Sequence, residues 1–257
     1  MLRLRILTVA VLLPVFAACA FFLPQDAWAA LMFATMLGAG AEWSKLAGFS
    51  RATAVGFGLG LALACATAWL HGGLDAPIFA GGVVFWCLLA PYALWRKPAF
   101  RNTALGVFSG FLVLVPMWLA ACRLQADPGL LLALLAIVWI SDSAAYGAGH
   151  AWGRHKLAPA ISPGKTWEGV AGAFAAVAVY AATFSFWWYP ATEFRTILGA
   201  FFAIAALGVI GDLFESLLKR GAGVKDSGSL LPGHGGILDR IDALTAALPL
   251  AALLFGK

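Results

Sequence analysis

Charge is what this sequence has least of. Asp, Glu, Lys and Arg make up 11% of its 257 residues while 62% are hydrophobic, against about a quarter and about a half in an average soluble domain. Such a chain has too much apolar surface to dissolve as an ordinary globular domain, so the bilayer is the solvent that fits it. Cysteine is sparse too. Cys19, Cys65, Cys87 and Cys122 each stand inside an apolar run and form no C-x-x-C pair, which argues against a zinc or disulfide framework and for small packing residues. Internal repeats, low-complexity tracts and interdomain linkers are missing. Gly164-Lys165-Thr166 looks like the end of a phosphate-binding P-loop, but that motif needs glycine where Pro159 stands, and no strand is expected before it.

What the sequence does contain is apolar stretches of spanning length, near 6–22, 27–42, 53–70, 77–95, 104–121, 129–146, 169–189, 196–218 and 237–255. The expectation is an all-α, polytopic transmembrane bundle of about nine spans. Trp28, Trp43, Trp69, Trp95, Trp167 and Trp188 fall near span ends, as interfacial belts would place them. The opening MLRLR and the apolar run to Cys19 have the outline of a cleaved signal, but eight further spans would hold the chain in the membrane regardless.

With the N-terminus in the cytoplasm and the sides alternating, Arg3, Arg5, Lys45, Arg51, Arg96, Lys97, Arg101, Arg154, Lys156, Lys165, Lys219, Arg220 and Lys225 are cytoplasmic. Only Arg123, Arg195 and Lys257 lie opposite. This positive-inside bias accounts for the net charge of +5 without nucleic acid. Asp26, Asp75, Asp127 and Glu193 occupy short outer loops. Glu42, Asp142, Glu168, Asp212, Glu215, Asp226, Asp239 and Asp242 gather at cytoplasmic span ends, where a carboxylate at membrane depth is usually functional. A cytoplasm-facing polar cavity is expected there.

The richest stretch is 212–242, DLFESLLKRGAGVKDSGSLLPGHGGILDRID. On a helix, Asp212, Glu215, Ser216 and Lys219 share one face. A loop with Gly221, Gly223, Gly228, Gly233, Gly235 and Gly236 follows Arg220, and Asp239 and Asp242 then open the last span. Carboxylates for a divalent metal, beside lysines and arginines for phosphates, suit a reaction between a nucleoside triphosphate and a phosphate nucleophile. An ionised phosphate needs no general base, so the lack of a Ser-His-Asp arrangement is no obstacle. A second stretch, 142–168, adds Asp142, Arg154, Lys156, Ser162, Lys165 and Thr166. Several of these residues also read as structural: Asp142 and Glu215 as polar cavity walls, Asp226 as a partner of Lys225 or Arg220, and Asp242 as a cap or a partner of Arg240. His234 reads as a turn residue or a phosphate donor, and Glu42 as a brace for the bundle.

These residues resemble the phosphatidate cytidylyltransferases. The family pattern runs S-x-apolar-K-R, four residues, K-D-x-small, two residues, apolar-P-x-H-G-G, two residues, D-R-x-D. Ser216, Leu218, Lys219, Arg220, Lys225, Asp226, Gly228, Leu231, Pro232, His234, Gly235, Gly236, Asp239, Arg240 and Asp242 match it without a gap. Gly147 and His150 depart from the usual aromatic and basic residues of the second stretch. The resemblance implies Mg²⁺-dependent transfer of CMP from CTP to phosphatidic acid, with room for a second, monovalent cation such as K⁺, in a membrane protein that forms a homodimer. It implies that Asp212 and Asp239 bind the metal, and that Lys165, Lys219, Arg220 and Lys225 contact phosphates. Asp142, Ser162, Thr166, Ser216, Asp226, His234, Gly235, Gly236 and Arg240 complete the expected substrate-binding set.

The chain is then a single membrane domain. Residues 1–128 would form the scaffold, lipid access and dimer contacts, and 129–257 the catalytic spans with cytoplasmic loops 147–168 and 219–236. A bacterial inner membrane with the site facing the cytoplasm fits this plan. The rival readings are a CTP-dependent polyprenol or phytol kinase and, in another class, a cation-coupled transporter. Transporters typically show broken helices and repeats.

Overall fold

A computed structural model describes residues 2–96, 103–228 and 235–256. The chain is helical almost throughout: α1 (Leu2–Phe22), α2 (Gln25–Leu46), α3 (Arg51–Leu70), α4 (Asp75–Val84), α5 (Ala90–Arg96), α6 (Thr103–Leu124), α7 (Pro128–Trp152), α8 (Trp167–Trp188), α9 (Phe194–Gly221) and α10 (Leu238–Phe255). A single π-helical turn, Phe85–Leu89, joins α4 to α5. Among the described residues, six segments are long and apolar enough to cross a membrane: Arg51–Leu70, Gly72–Arg96, Thr103–Leu124, Pro128–Trp152, Trp167–Trp188 and Phe194–Gly221. The other three expected spans correspond to α1, α2 and α10. The apolar part of α1 described with its side chains, Ala10–Phe22, is shorter. α2 carries Asp26, Glu42 and Lys45, and α10 carries Asp239, Arg240 and Asp242.

Two features differ from the expected loop at 147–168. α7 continues to Trp152, because small residues let it run beside α8: a Cβ on Gly169 would lie 2.8 Å from the Ala145 carbonyl oxygen. The remainder folds as a hairpin of β1 (Lys156–Ala158) and β2 (Ser162–Thr166), with Lys156 opposite Thr166. Thr166 closes the hairpin and starts α8, its Oγ1 accepting the Gly169 N–H at 3.1 Å. The His155 ring meets Glu168 at 2.6 Å and ties the hairpin's base to the same turn.

α10 packs against α9, α6 and α4. Indole N–H groups donate between helices: across α2 and α6, Trp28 to the Ala121 carbonyl at 3.0 Å, Trp43 to Gly106 at 3.0 Å and Trp118 to Ala29 at 3.3 Å, and from the π-helical turn to α10, Trp86 to Thr245 at 3.0 Å. Trp28 and Trp43 are therefore not belt residues; both are buried, on the face of α2 that packs against α6. Trp95, Trp167 and Trp188 are exposed, as a belt requires. At the other end of the bundle from the acidic cluster, Arg123 pairs with Asp75 at 2.8 Å and lies over the Trp69 ring at 4.9 Å.

α9 and α10 cross closely at Gly211, where a Cβ would come within 2.6 Å of the Asp242 carbonyl oxygen and 3.2 Å of Ala246. Backbone cannot yield there as a flexible side chain could. Gly211→Leu is expected to destabilise the purified protein by about 1–3 kcal/mol. Gly199→Ala, on an open face of α9, should be near neutral. Thermal unfolding in detergent compares the two.

Candidate active site

Three segments meet at one end of the bundle. On α9, the i, i+4 spacing puts Glu215 under Lys219, and their side chains pair at 2.5 Å. One turn earlier, Ser216 donates to Asp212 Oδ1 at 3.4 Å. β2 delivers Lys165 to Asp212 Oδ2 at 2.5 Å. The first turn of α10 delivers Asp239, whose Oδ1 takes the Lys219 ammonium at 2.6 Å. Lys219 and Glu215 are buried, whereas Asp212 and Lys165 keep about a quarter of their side-chain surface open (30% and 25%). The first pair is therefore a closed element and the second faces the solvent side.

Asp239 Oδ2 also accepts from the Gly236 N–H at 2.8 Å, the Ser227 N–H at 2.9 Å and the Ser227 hydroxyl at 3.0 Å. Glu42, reaching over from α2, accepts from Ile237 N–H at 3.0 Å and Leu238 N–H at 2.9 Å, with Ser227 Oγ 2.9 Å away. Its carboxylate thus satisfies donors at the start of α10, where negative charge also meets the positive end of the helix dipole. Ser227 has one hydroxyl proton between two carboxylates, so it donates to one at a time; each carboxylate has backbone donors as well. Gly236 and Gly228 make this approach possible, since a Cβ on either would collide with Glu42 oxygens. Gly235 needs its freedom for a second reason, a φ of +83°.

The charge balance is uneven. Asp142, Asp212, Glu215, Asp239 and Asp242 all interact electrostatically within this group, and Lys165 and Lys219 are the cations among them. Glu215 Oε1 is buried without a hydrogen-bond partner among the described residues. A cationic guest suits that surplus. Among the described residues, no three His, Cys, Asp or Glu side chains are gathered tightly enough to hold a metal by protein atoms alone. The donor set still fits Mg²⁺, a hard ion usually held by one or two carboxylates together with water and substrate phosphate.

The sequence profile of the cytidylyltransferase family matches residues 3–256. The chain belongs to the cytidylyltransferase family. It is similar to a phosphatidate cytidylyltransferase of Pseudomonas aeruginosa, 39% identical over 271 aligned residues that cover 99% of this chain and 97% of that protein. A phosphatidate cytidylyltransferase of Thermotoga maritima is 37% identical over 186 residues (69% and 67% covered), and one of Haemophilus influenzae 44% identical over 162 residues (58% and 56%).

Of the expected site residues, the structure brings together Asp142, Lys165, Asp212, Ser216, Lys219, Gly235, Gly236 and Asp239. Thr166 is buried and spent on capping α8. Arg220 bonds the Ile161 carbonyl at 3.3 Å and the Val224 carbonyl at 3.2 Å, linking hairpin to loop. Lys225, Asp226 and Arg240 are exposed, with no side-chain partner among the described residues, so the alternative structural pairings Asp226–Lys225, Asp226–Arg220 and Asp242–Arg240 are not formed. Ser162 is partly exposed on β2. His234 lies outside the described residues. Ser227 is the residue that sequence reasoning missed: the motif leaves its position open, and only its hydrogen bonds reveal it. Glu42 does brace the structure, and what it braces is the site itself.

Removing the Glu42 carboxylate leaves two backbone N–H groups of α10 without an acceptor. Glu42→Ala is expected to cost about 2–4 kcal/mol, and Glu42→Gln, which keeps one acceptor oxygen, clearly less. Denaturation midpoints in detergent measure the difference.

Proposed function

We propose that the chain is a phosphatidate cytidylyltransferase: it transfers CMP from CTP to phosphatidic acid, giving CDP-diacylglycerol and pyrophosphate. The observation that carries this reading is the Lys165–Asp212 and Lys219–Asp239 lattice at the junction of hairpin, α9 and α10, in a chain matched to the family from residue 3 to 256. A phosphate-monoester oxygen attacks the α-phosphorus of CTP, the new P–O bond forms, and the bond to the β,γ-diphosphate breaks. The nucleophile is already anionic at neutral pH, so the protein's work is to orient two anions and offset their repulsion.

Each lysine is held by a carboxylate, and each pair can exchange partners. When a phosphate takes the ammonium of Lys165 or Lys219, Asp212 or Asp239 Oδ1 is released for a cation. Asp212 and Asp239 hold Mg²⁺ in this reading; when bound, the ion would supply charge stabilisation to phosphate oxygens. A second, monovalent cation such as K⁺ suits the surplus carboxylates Asp142, Glu215 and Asp242. Lys225, Arg220, Arg240 and His234 of the glycine-rich loop, with Asp226, Ser162 and Ser216, serve the phosphates from the solvent side.

The chain crosses the membrane about nine times with its N-terminus in the cytoplasm. The site faces the cytoplasm of a bacterial inner membrane, where soluble CTP meets a lipid headgroup entering from the side. Residues 129–257 carry the chemistry, residues 1–128 support it, and the protein works as a homodimer.

Detergent-purified protein given phosphatidate, Mg²⁺ and CTP labelled at the α-phosphate should place label in lipid. A lipid kinase would leave the label in CDP, and a transporter would leave CTP intact. Asp239→Asn should lower the rate on the order of 100-fold or more, and chelation should abolish synthesis until Mg²⁺ is restored. Undiminished synthesis by Asp239→Asn would remove Asp239 from the site.

A further inference from the structure

A cleft of about 340 Å³ opens between α2 and α3, away from the acidic cluster. Its walls are Leu37, Phe49, Ala54, Val55, Gly58 and Leu61. The Ser44 hydroxyl in the wall is spent on the Gly40 carbonyl at 2.8 Å, so it offers the cleft no free donor. Only 22% of the apolar window of α3 is buried within the protein, which leaves this face to the hydrocarbon of the bilayer. The volume lies in the usual range for a small-molecule site, roughly 300–1,000 Å³.

One mouth of the cleft is cationic. Lys45 and Arg51 both line it, both are exposed, and neither side chain has an ion-pair or hydrogen-bond partner among the described residues. The segments 97–102 and 229–234, which lie outside the described residues, contain no Asp or Glu. Between the two cations, Ser50 caps the start of α3 by accepting the Thr53 N–H at 3.1 Å, so the positive end of that helix adds to the field. An apolar trough ending in two unneutralised cations matches a molecule with a hydrocarbon tail and an anionic head.

We propose that this cleft binds one anionic diacyl phospholipid of the surrounding leaflet, an acyl chain lying in the trough and the phosphodiester between Lys45 and Arg51. The substrate lipid is not the occupant this geometry favours. None of the residues that line the cleft belongs to the acidic cluster or to the lysines paired with it, and Glu42, three residues before Lys45, is taken up by Ser227 and Ile237. The proposal goes beyond the catalytic reading and does not depend on it.

The test is native mass spectrometry of the full chain in detergent, titrated separately with phosphatidylglycerol, phosphatidylethanolamine and phosphatidate. One phosphatidylglycerol per chain should be retained in preference to the zwitterionic lipid. K45A/R51A should weaken that retention roughly thirtyfold. Gly58→Leu fills open space, since a Cβ there meets nothing within 4 Å, and should exclude the lipid without unfolding the protein. Should K45A/R51A fail to fold, Gly58→Leu decides alone. Equal retention of phosphatidylethanolamine, or unchanged phosphatidylglycerol retention in the variants, overturns the proposal. Preference for phosphatidate would assign the cleft to the substrate's path and overturn it too. Loss of a dimer in Gly58→Leu, with lipid retention intact, would make the cleft a contact between copies instead.

Discussion

The carboxylate of Asp239 is the point on which the site depends. Taking a charged group out of water is tolerable only when it is paired and hydrogen-bonded. Asp239 meets that condition by drawing in an ammonium from α9 and N–H and O–H donors from the glycine-rich loop. Three separate pieces of chain thereby become one object. Lys219 is under the same constraint from the other side: buried, it is held between the carboxylates of Glu215 and Asp239.

Apolar packing sets the rotation of α9 that makes this possible. Phe214, one residue before Glu215, has its ring 5.4 Å from those of Phe85 and Trp86, with Trp43 stacked at 6.4 Å. Phe85 and Trp86 lie in the π-helical turn between α4 and α5, so an irregularity in one helix contributes to the alignment of another. With Phe214 fixed among three rings, Glu215 and Lys219 have little choice of direction. The aromatic core and the ionic cluster are two sides of the same helix.

Much of this was legible beforehand because helical spacing is a strong signal. The shared face of Asp212, Glu215, Ser216 and Lys219 follows from 3.6 residues per turn, and the ion pair Glu215–Lys219 bears it out. The hairpin at 156–166 was not legible: three- and five-residue strands within a polar loop carry no usable alternation. Lys165 could be nominated by type, but its pairing with Asp212 depends on that hairpin. Trp28 and Trp43 misled because aromatic residues near span ends serve equally as belts and as interhelical donors. Burial decides between these, and burial is a property of the assembled bundle. Ser227 was invisible for a related reason, since a serine among glycines in a loop reads as a turn residue until its partners are known.

The Glu42 bonds to Ile237 and Leu238 span 195 and 196 residues of sequence. During synthesis, α2 leaves the ribosome long before the start of α10 exists. Until α10 arrives, the Glu42 carboxylate has no backbone donors from it, and Lys219 lacks one of its two counter-charges. A nascent chain halted before α10 would already hold the residues of the Lys165–Asp212 and Glu215–Lys219 pairs but would lack Asp239. The Asp239 half of the cluster is therefore completed only once α10 is in place.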